Sequence, residues 1–332
     1  MAASGIAKVQ HYVPQFLLRR FGNGKKDQLN VFDKQASRSF PTNAKNVASE
    51  SRFYDFRIED QDATLEPKLA QLEGATKPLL ERILDRDSTS VITDAERELL
   101  CTFLAVQFTR TKAFREQVLD IPKMLGEHLR SRSGSQDDSG ELEQFIKLPD
   151  ENQQKIETAR FMMNAPRDFG PHFLNKDWLL VATTRKAPFI IGDNPLALQN
   201  TIDMGPYGNL GLAVKGIEMY LPLSPVRALA MWCPSHKQTI LSNANTLRQM
   251  RVIAPHLIAE KIRDPGGIER LERALLDDTP LQYSLDNVRN FNSLQVRYAE
   301  RFVFSSNPDF SLAHEMVNSH PALRTGMRMR SN

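Results

Sequence analysis

The chain has 332 residues, 41% hydrophobic and 25% charged, which is the composition of a globular protein with enough apolar side chains for a full core and excludes a fibrous or disordered one. Its 43 basic and 40 acidic side chains leave a formal charge of +3, too weak a mean field to make it a nucleic-acid binder by charge alone. Cys101 and Cys233 are the only cysteines and lack C-x-x-C spacing, which excludes a disulfide framework and favours a reducing compartment.

No apolar run approaches the roughly 20 residues of a membrane span. The opening MAASGIAKVQ also lacks the apolar stretch of a secretory signal. The sequence therefore predicts a cytoplasmic protein with no membrane partner.

Pro14 suits the first turn of a short helix reaching Phe21, with Phe16, Leu17 and Phe21 spaced to bury one side and Gly22, Asn23 and Gly24 stopping it. QLNVFDK follows as a short strand, and the polar SRSFPTNAKN reads as a loop leading to ASESRFYDF. Residues 64 to 85 carry leucines and Ile83 near helical spacing, in a helix that Gly74 and Pro78 should kink or divide. TDAE at 93 to 96 is a capping box and opens a helix over about 94 to 118.

SRSGSQDDSGE, residues 131 to 141, has no apolar anchor and reads as a mobile surface loop. A helix over about 151 to 165 follows. WLLVATT and PFIIGDNP, separated by RKA, predict a β-hairpin, and GIEMYLPLS with RALAMWC, separated by Pro225 and Val226, predict a second antiparallel pair. Helices are expected over 243 to 262, 266 to 277 and 284 to 301, before VFSS. The resulting expectation is an α+β fold, mostly helical, with one small antiparallel sheet whose strands lie mainly within 178 to 233. It forms a single domain over 1 to 310, followed by a polar, basic C-terminal tail over 311 to 332.

Chemistry concentrates at three places. On the capped helix, at about 100° per residue, Arg110 and Gln107 fall within the apolar arc of Leu99, Phe103, Val106 and Phe114. A buried guanidinium cannot shed its charge, so something anionic should face Arg110. That partner is either a ligand phosphate or a structural carboxylate, for which Glu66 and Glu73 on the preceding helix are placed. The second place is FIIGDNP, where Asp193 and Asn194 end an apolar strand; they suit a binding site, or an Asx turn before Pro195. The third joins His11 with Arg19 and Arg20, of which one arginine should face inward, and with Glu50 just before Phe53 and Tyr54. No H-E-x-x-H, G-x-S-x-G, Walker or G-x-G-x-x-G signature is present.

In order along the chain, HYVPQFLLRRF, ESRFYDF, TLEPKLAQLEG, FLAVQFTRTKAFRE, FIIGDNPLAL, YLPLSP and FNSLQVRYAERFVFSS resemble the motif blocks of the domain-of-unknown-function 4238 family over about residues 9 to 306. Gly192 stands where serine is usual. The resemblance implies one continuous domain and no assigned reaction, and it points to His11, Glu50, Tyr54, Arg110 and Asp193.

Two functional readings follow. In the first, a hydrolase acts on a phosphorylated substrate, a nucleotide or nucleic acid. His11, Glu50 and Asp193 supply acid–base chemistry or hold a divalent metal, and Arg19, Arg20, Tyr54, Gln107, Arg110 and Asn194 bind the substrate. In the second, the chain is a noncatalytic binding or regulatory module whose buried polar residues are structural, with the Arg324, Arg328 and Arg330 tail available to an acidic partner or nucleic acid.

Overall fold

The computed structural model describes residues 8–132, 149–202 and 209–328. Chain order begins β1 (Val9–His11), α1 (Gln15–Arg19), β2 (Gln28–Asp33), β3 (Arg38–Asn43), β4 (Ser49–Ser51), β5 (Asp55–Ile58) and β6 (Gln61–Thr64). Helices follow as α2 (Glu66–Arg86), α3 (Asp94–Thr109), α4 (Lys112–Arg132), α5 (Glu151–Asp168) and α6 (Gly170–Leu174). The second half contributes β7 (Asp177–Ala182), β8 (Ile191–Gly192), β9 (Ala197–Gln199), β10 (Glu218–Ser224), β11 (Arg227–Trp232) and α7 (Pro234–Ile253). It ends with α8 (Ile258–Lys261), α9 (Pro265–Leu276), β12 (Leu281–Gln282), α10 (Leu285–Tyr298), β13 (Phe302–Ser305) and α11 (Ser311–Ser319).

The mixed, mainly helical α and β character is as expected, but the single small sheet is replaced by four among the described residues. A five-stranded sheet runs β12-β7-β11-β10-β9, a four-stranded sheet runs β3-β2-β13-β8, and β1-β4 and β5-β6 are two-stranded ribbons. GIEMYLPLS and RALAMWC do pair antiparallel, while β12 joins β7 in parallel. WLLVATT and PFIIGDNP do not form a hairpin: β7 pairs with β11, and β8 pairs with β13 in the other sheet. Both runs are buried on both faces, so neither carries the alternation that identifies a partner.

Part of the expected loop SRSFPTNAKN is strand β3, at the edge of the four-stranded sheet, where Pro41 interrupts no interior ladder. The expected helix over 94 to 118 is two helices. Arg110 closes α3, and the Thr111 hydroxyl accepts the Phe114 amide hydrogen to open α4. Conversely, α2 runs unbroken through Gly74 and Pro78, because both sit on its exposed side, where water satisfies the carbonyl that Pro78 cannot reach. The helix expected over 243 to 262 starts nine residues earlier, with Pro234 in its first turn, and stops before Pro255, which disfavours helix at Ala254.

Alternating side chains of the four-stranded sheet feed two cores. Leu29, Val31 and Phe304 join the main core, which includes α1, α3 and the five-stranded sheet, while Phe32 and Val303 face a smaller cluster with Phe310, Ala313 and Val317. The segment after residue 310 is thus not a free tail as far as it is described. Its α11 is packed, Thr325 and Met327 accept hydrogen bonds through their carbonyls, and Arg328 pairs with Glu300. The loop expected over 131 to 141 lies outside the described residues from position 133 on, as does Arg330.

Candidate functional site

Helix α3 starts as its sequence dictates, with Glu96 N–H donating to the Thr93 hydroxyl at 3.3 Å and Thr93 N–H donating to Glu96 Oε2 at 2.8 Å. Its period carries Arg110 into the core, where the residue is 2% exposed. The guanidinium donates to Glu73 Oε1 at 2.7 Å, to the His11 carbonyl at 2.7 Å and to the Tyr54 hydroxyl at 3.1 Å. Burial works against its charge, but Tyr54 and Glu73 hold its pKa above the ordinary arginine value. Burial pushes the Tyr54 phenol up to about 12, so it stays a donor, and it reaches the His11 carbonyl at 3.1 Å. Glu66 is half-buried and its carboxyl is raised by burial, with Arg110 opposing. Gln107, fully buried, donates to the Tyr12 carbonyl at 3.1 Å.

The D-N-P turn is also committed to the protein. Asp193 Oδ1 accepts from Glu300 N–H at 2.6 Å, and Oδ2 accepts from Arg301 N–H at 3.0 Å and Phe302 N–H at 2.9 Å. This is no local Asx turn, since the amides lie more than 100 residues downstream. Burial raises the Asp193 carboxyl to about 6, against the pull of the three amides and of Lys34. Asn194 donates to the Tyr298 carbonyl at 3.2 Å and accepts from the Thr111 hydroxyl at 3.2 Å. At Gly192 a Cβ would meet the Gln295 carbonyl at 3.0 Å and Ala299 Cβ at 3.1 Å, which is why glycine lets α10 lie so close to β8.

The amino-terminal residues divide. The His11 ring is within 3.2 Å of the Lys45 carbonyl and of Gln15 Nε2, and burial lowers its pKa. Arg19 is exposed, bonded to Gln15 and 3.5 Å from Asp27. Arg20 is the more enclosed of the two arginines and lies 3.7 Å from Glu81, so neither arginine joins Arg110. Glu50 pairs with Lys112 at 2.6 Å.

Glu50 nonetheless marks a cleft of about 300 Å³, bounded by the β1–β4 ribbon, β3, the start of α4 and the turn before β13. Its working residues are Tyr12, Phe40, Ser49, Glu50, Lys112, Glu300, Arg301 and Phe302. Arg301 pairs with Asp33 at 2.7 Å, and Arg328 grips both Glu300 oxygens from behind. Tyr12 is 3% exposed, and its phenol is raised by burial and by the nearby Asp193 and Glu50 carboxylates. Among the described residues its oxygen has no hydrogen-bond partner, yet it is not sealed off, so it opens onto the cleft.

The expected site residues surround this cleft more than they line it. Arg110, Tyr54 and Gln107 fix the carbonyls of His11 and Tyr12, Asp193 fixes the turn carrying Glu300 to Phe302, and Asn194 fixes Thr111 beside Lys112. Sequence reasoning missed Tyr12, Lys112, Glu300 and Arg301; the available signal was their position beside or inside the H-Y-x-P, R-T-K and A-E-R-F blocks. A second cavity, of about 370 Å³, lies across the turn over 44–46 and is lined by Arg19, Lys26 and Lys45 with Asp27. A third, of about 350 Å³ along α10 and α11, touches none of the expected site residues. Among the described residues no group of three or more His, Cys, Asp or Glu side chains is placed to hold a metal ion. No described helix is long and apolar enough to cross a membrane.

A family model described as a protein of unknown function, DUF4238, matches residues 9–309. No curated protein and no solved structure matches the chain.

Proposed function

The chain belongs to the DUF4238 family, and from that premise we propose that it is a noncatalytic binding module that takes a small polar molecule into the cleft of Tyr12, Glu50, Lys112 and Arg301. The observation that carries this reading is where the buried donors and acceptors go. Arg110, the Gln107 amide nitrogen and both oxygens of Asp193 are engaged by groups of the protein itself, most of them backbone groups that shape the cleft. A substrate contact by Arg110 or Asp193 would first have to break these bonds. Tyr12, 3% exposed, lines the cleft, and among the described residues its phenol makes no hydrogen bond to the protein.

The test separates cleft from scaffold. Tyr12→Phe should keep the unfolding midpoint while losing ligand-induced stabilisation, whereas Arg110→Ala should lose several kcal/mol of stability. Turnover in a phosphodiesterase and nucleotide-hydrolase screen, abolished in folded His11→Ala and Asp193→Ala variants, would overturn the reading. That result would favour the second reading, a hydrolase of a phosphorylated substrate such as a nucleotide or nucleic acid. The cavity of Arg19, Lys26 and Lys45 beside His11 is what supports it.

A further inference from the structure

Every charge that reaches the cleft already has its opposite within the protein. Lys112 faces Glu50, Arg301 faces Asp33, and Glu300 is held by Arg328. These six side chains sum to zero, so a charged ligand meets no net attraction and must displace an existing ionic partner to bind. The groups without partners are uncharged. Among the described residues the Tyr12 phenol, the half-buried Ser49 hydroxyl and the exposed Gln35 side-chain amide make no hydrogen bond to the protein, and all three residues line the cleft with Phe302. Tyr12 is only 3% exposed, so a ligand group that bonds its phenol displaces little hydration. The volume, about 300 Å³, is at the small end of the range for ligand sites.

We infer that the cleft takes an uncharged ring compound bearing several hydrogen-bonding groups, the chemistry common to nucleosides and monosaccharides, and that Tyr12 decides its specificity. The ring lies against Phe302 while hydroxyl or amide groups meet Tyr12, Ser49 and Gln35. This inference rests on the cleft being the ligand site, as proposed above.

Calorimetric titration of the full chain with adenosine, glucose, adenosine 5′-monophosphate and inorganic phosphate, at low and at physiological salt, tests it. Adenosine or glucose should bind with little salt dependence, the monophosphate should bind no tighter than adenosine, and Tyr12→Phe should weaken binding about five- to tenfold at an unchanged urea midpoint. Absence of binding by both uncharged probes overturns the inference. So does monophosphate or phosphate binding that is more than about tenfold tighter and collapses with salt; if Tyr12→Phe weakens that binding too, the cleft reading survives and only the ligand class fails. Binding of any probe that is indifferent to both Tyr12→Phe and the cleft-filling Ser49→Trp overturns the cleft reading itself.

Discussion

Removing Glu73 isolates the energetics of the buried arginine. The Glu73 carboxylate lies 2.7 Å from Arg110 Nη1, with side-chain exposures of 24% for the glutamate and 2% for the arginine. In Glu73→Ala the guanidinium keeps only a phenol and a carbonyl as partners, in a pocket that water reaches poorly. Breaking one side of a buried pair costs 3–5 kcal/mol in general, and the partial exposure of Glu73 places this case near the low end, about 3 kcal/mol. At this chain length that corresponds to a drop of roughly 4 °C in melting temperature. The double variant Arg110→Met with Glu73→Leu removes the desolvation cost together with the attraction, and should lose less stability than Glu73→Ala alone. Urea unfolding of the three proteins measures this directly. A loss within about 0.5 kcal/mol for Glu73→Ala would mean that Arg110 does not depend on that carboxylate, and the account of its burial would be wrong.

Three further outcomes follow from the same geometry. Asp193→Asn replaces one acceptor oxygen by an amide that cannot accept from the turn at Glu300 to Phe302, and should cost about 2 kcal/mol by urea unfolding; an unchanged midpoint would show that the carboxylate does not anchor that turn. Because burial holds His11 below its ordinary pKa of 6.5, the unfolded chain takes up a proton there that the folded chain refuses. Stability should therefore fall as pH drops through that value, and His11→Asn should fall less steeply over the same window, in denaturant titrations at a series of pH values. Gly192→Ser places a Cβ at 3.0 Å from the Gln295 carbonyl and should destabilise by about 1 kcal/mol or more; a stabilised variant would show that α10 can move away freely.

What the sequence determined by itself was local. The 3.6-residue period of α3 was enough to bury Arg110 and Gln107, and the cost of desolvating a guanidinium then called for an anionic partner, for which Glu66 and Glu73 were already placed. Thr93 and Glu96 specified where that helix begins. Tertiary structure decided everything that depends on the identity of a distant partner. Asp193 and Asn194 were visible as polar residues ending a strand, but the amides that Asp193 binds lie on a turn created only when β13 pairs with β8. The hairpin expected between residues 178 and 195 failed for the same reason, because two fully buried strands carry no pattern that names their neighbours. Tyr12 carried no signal of its own in the sequence, and its place in the cleft depends on the β1–β4 ribbon lying beside β3 of the four-stranded sheet. Hydrophobic periodicity reports whether a side chain is buried; which group it meets depends on chain segments that no local pattern connects.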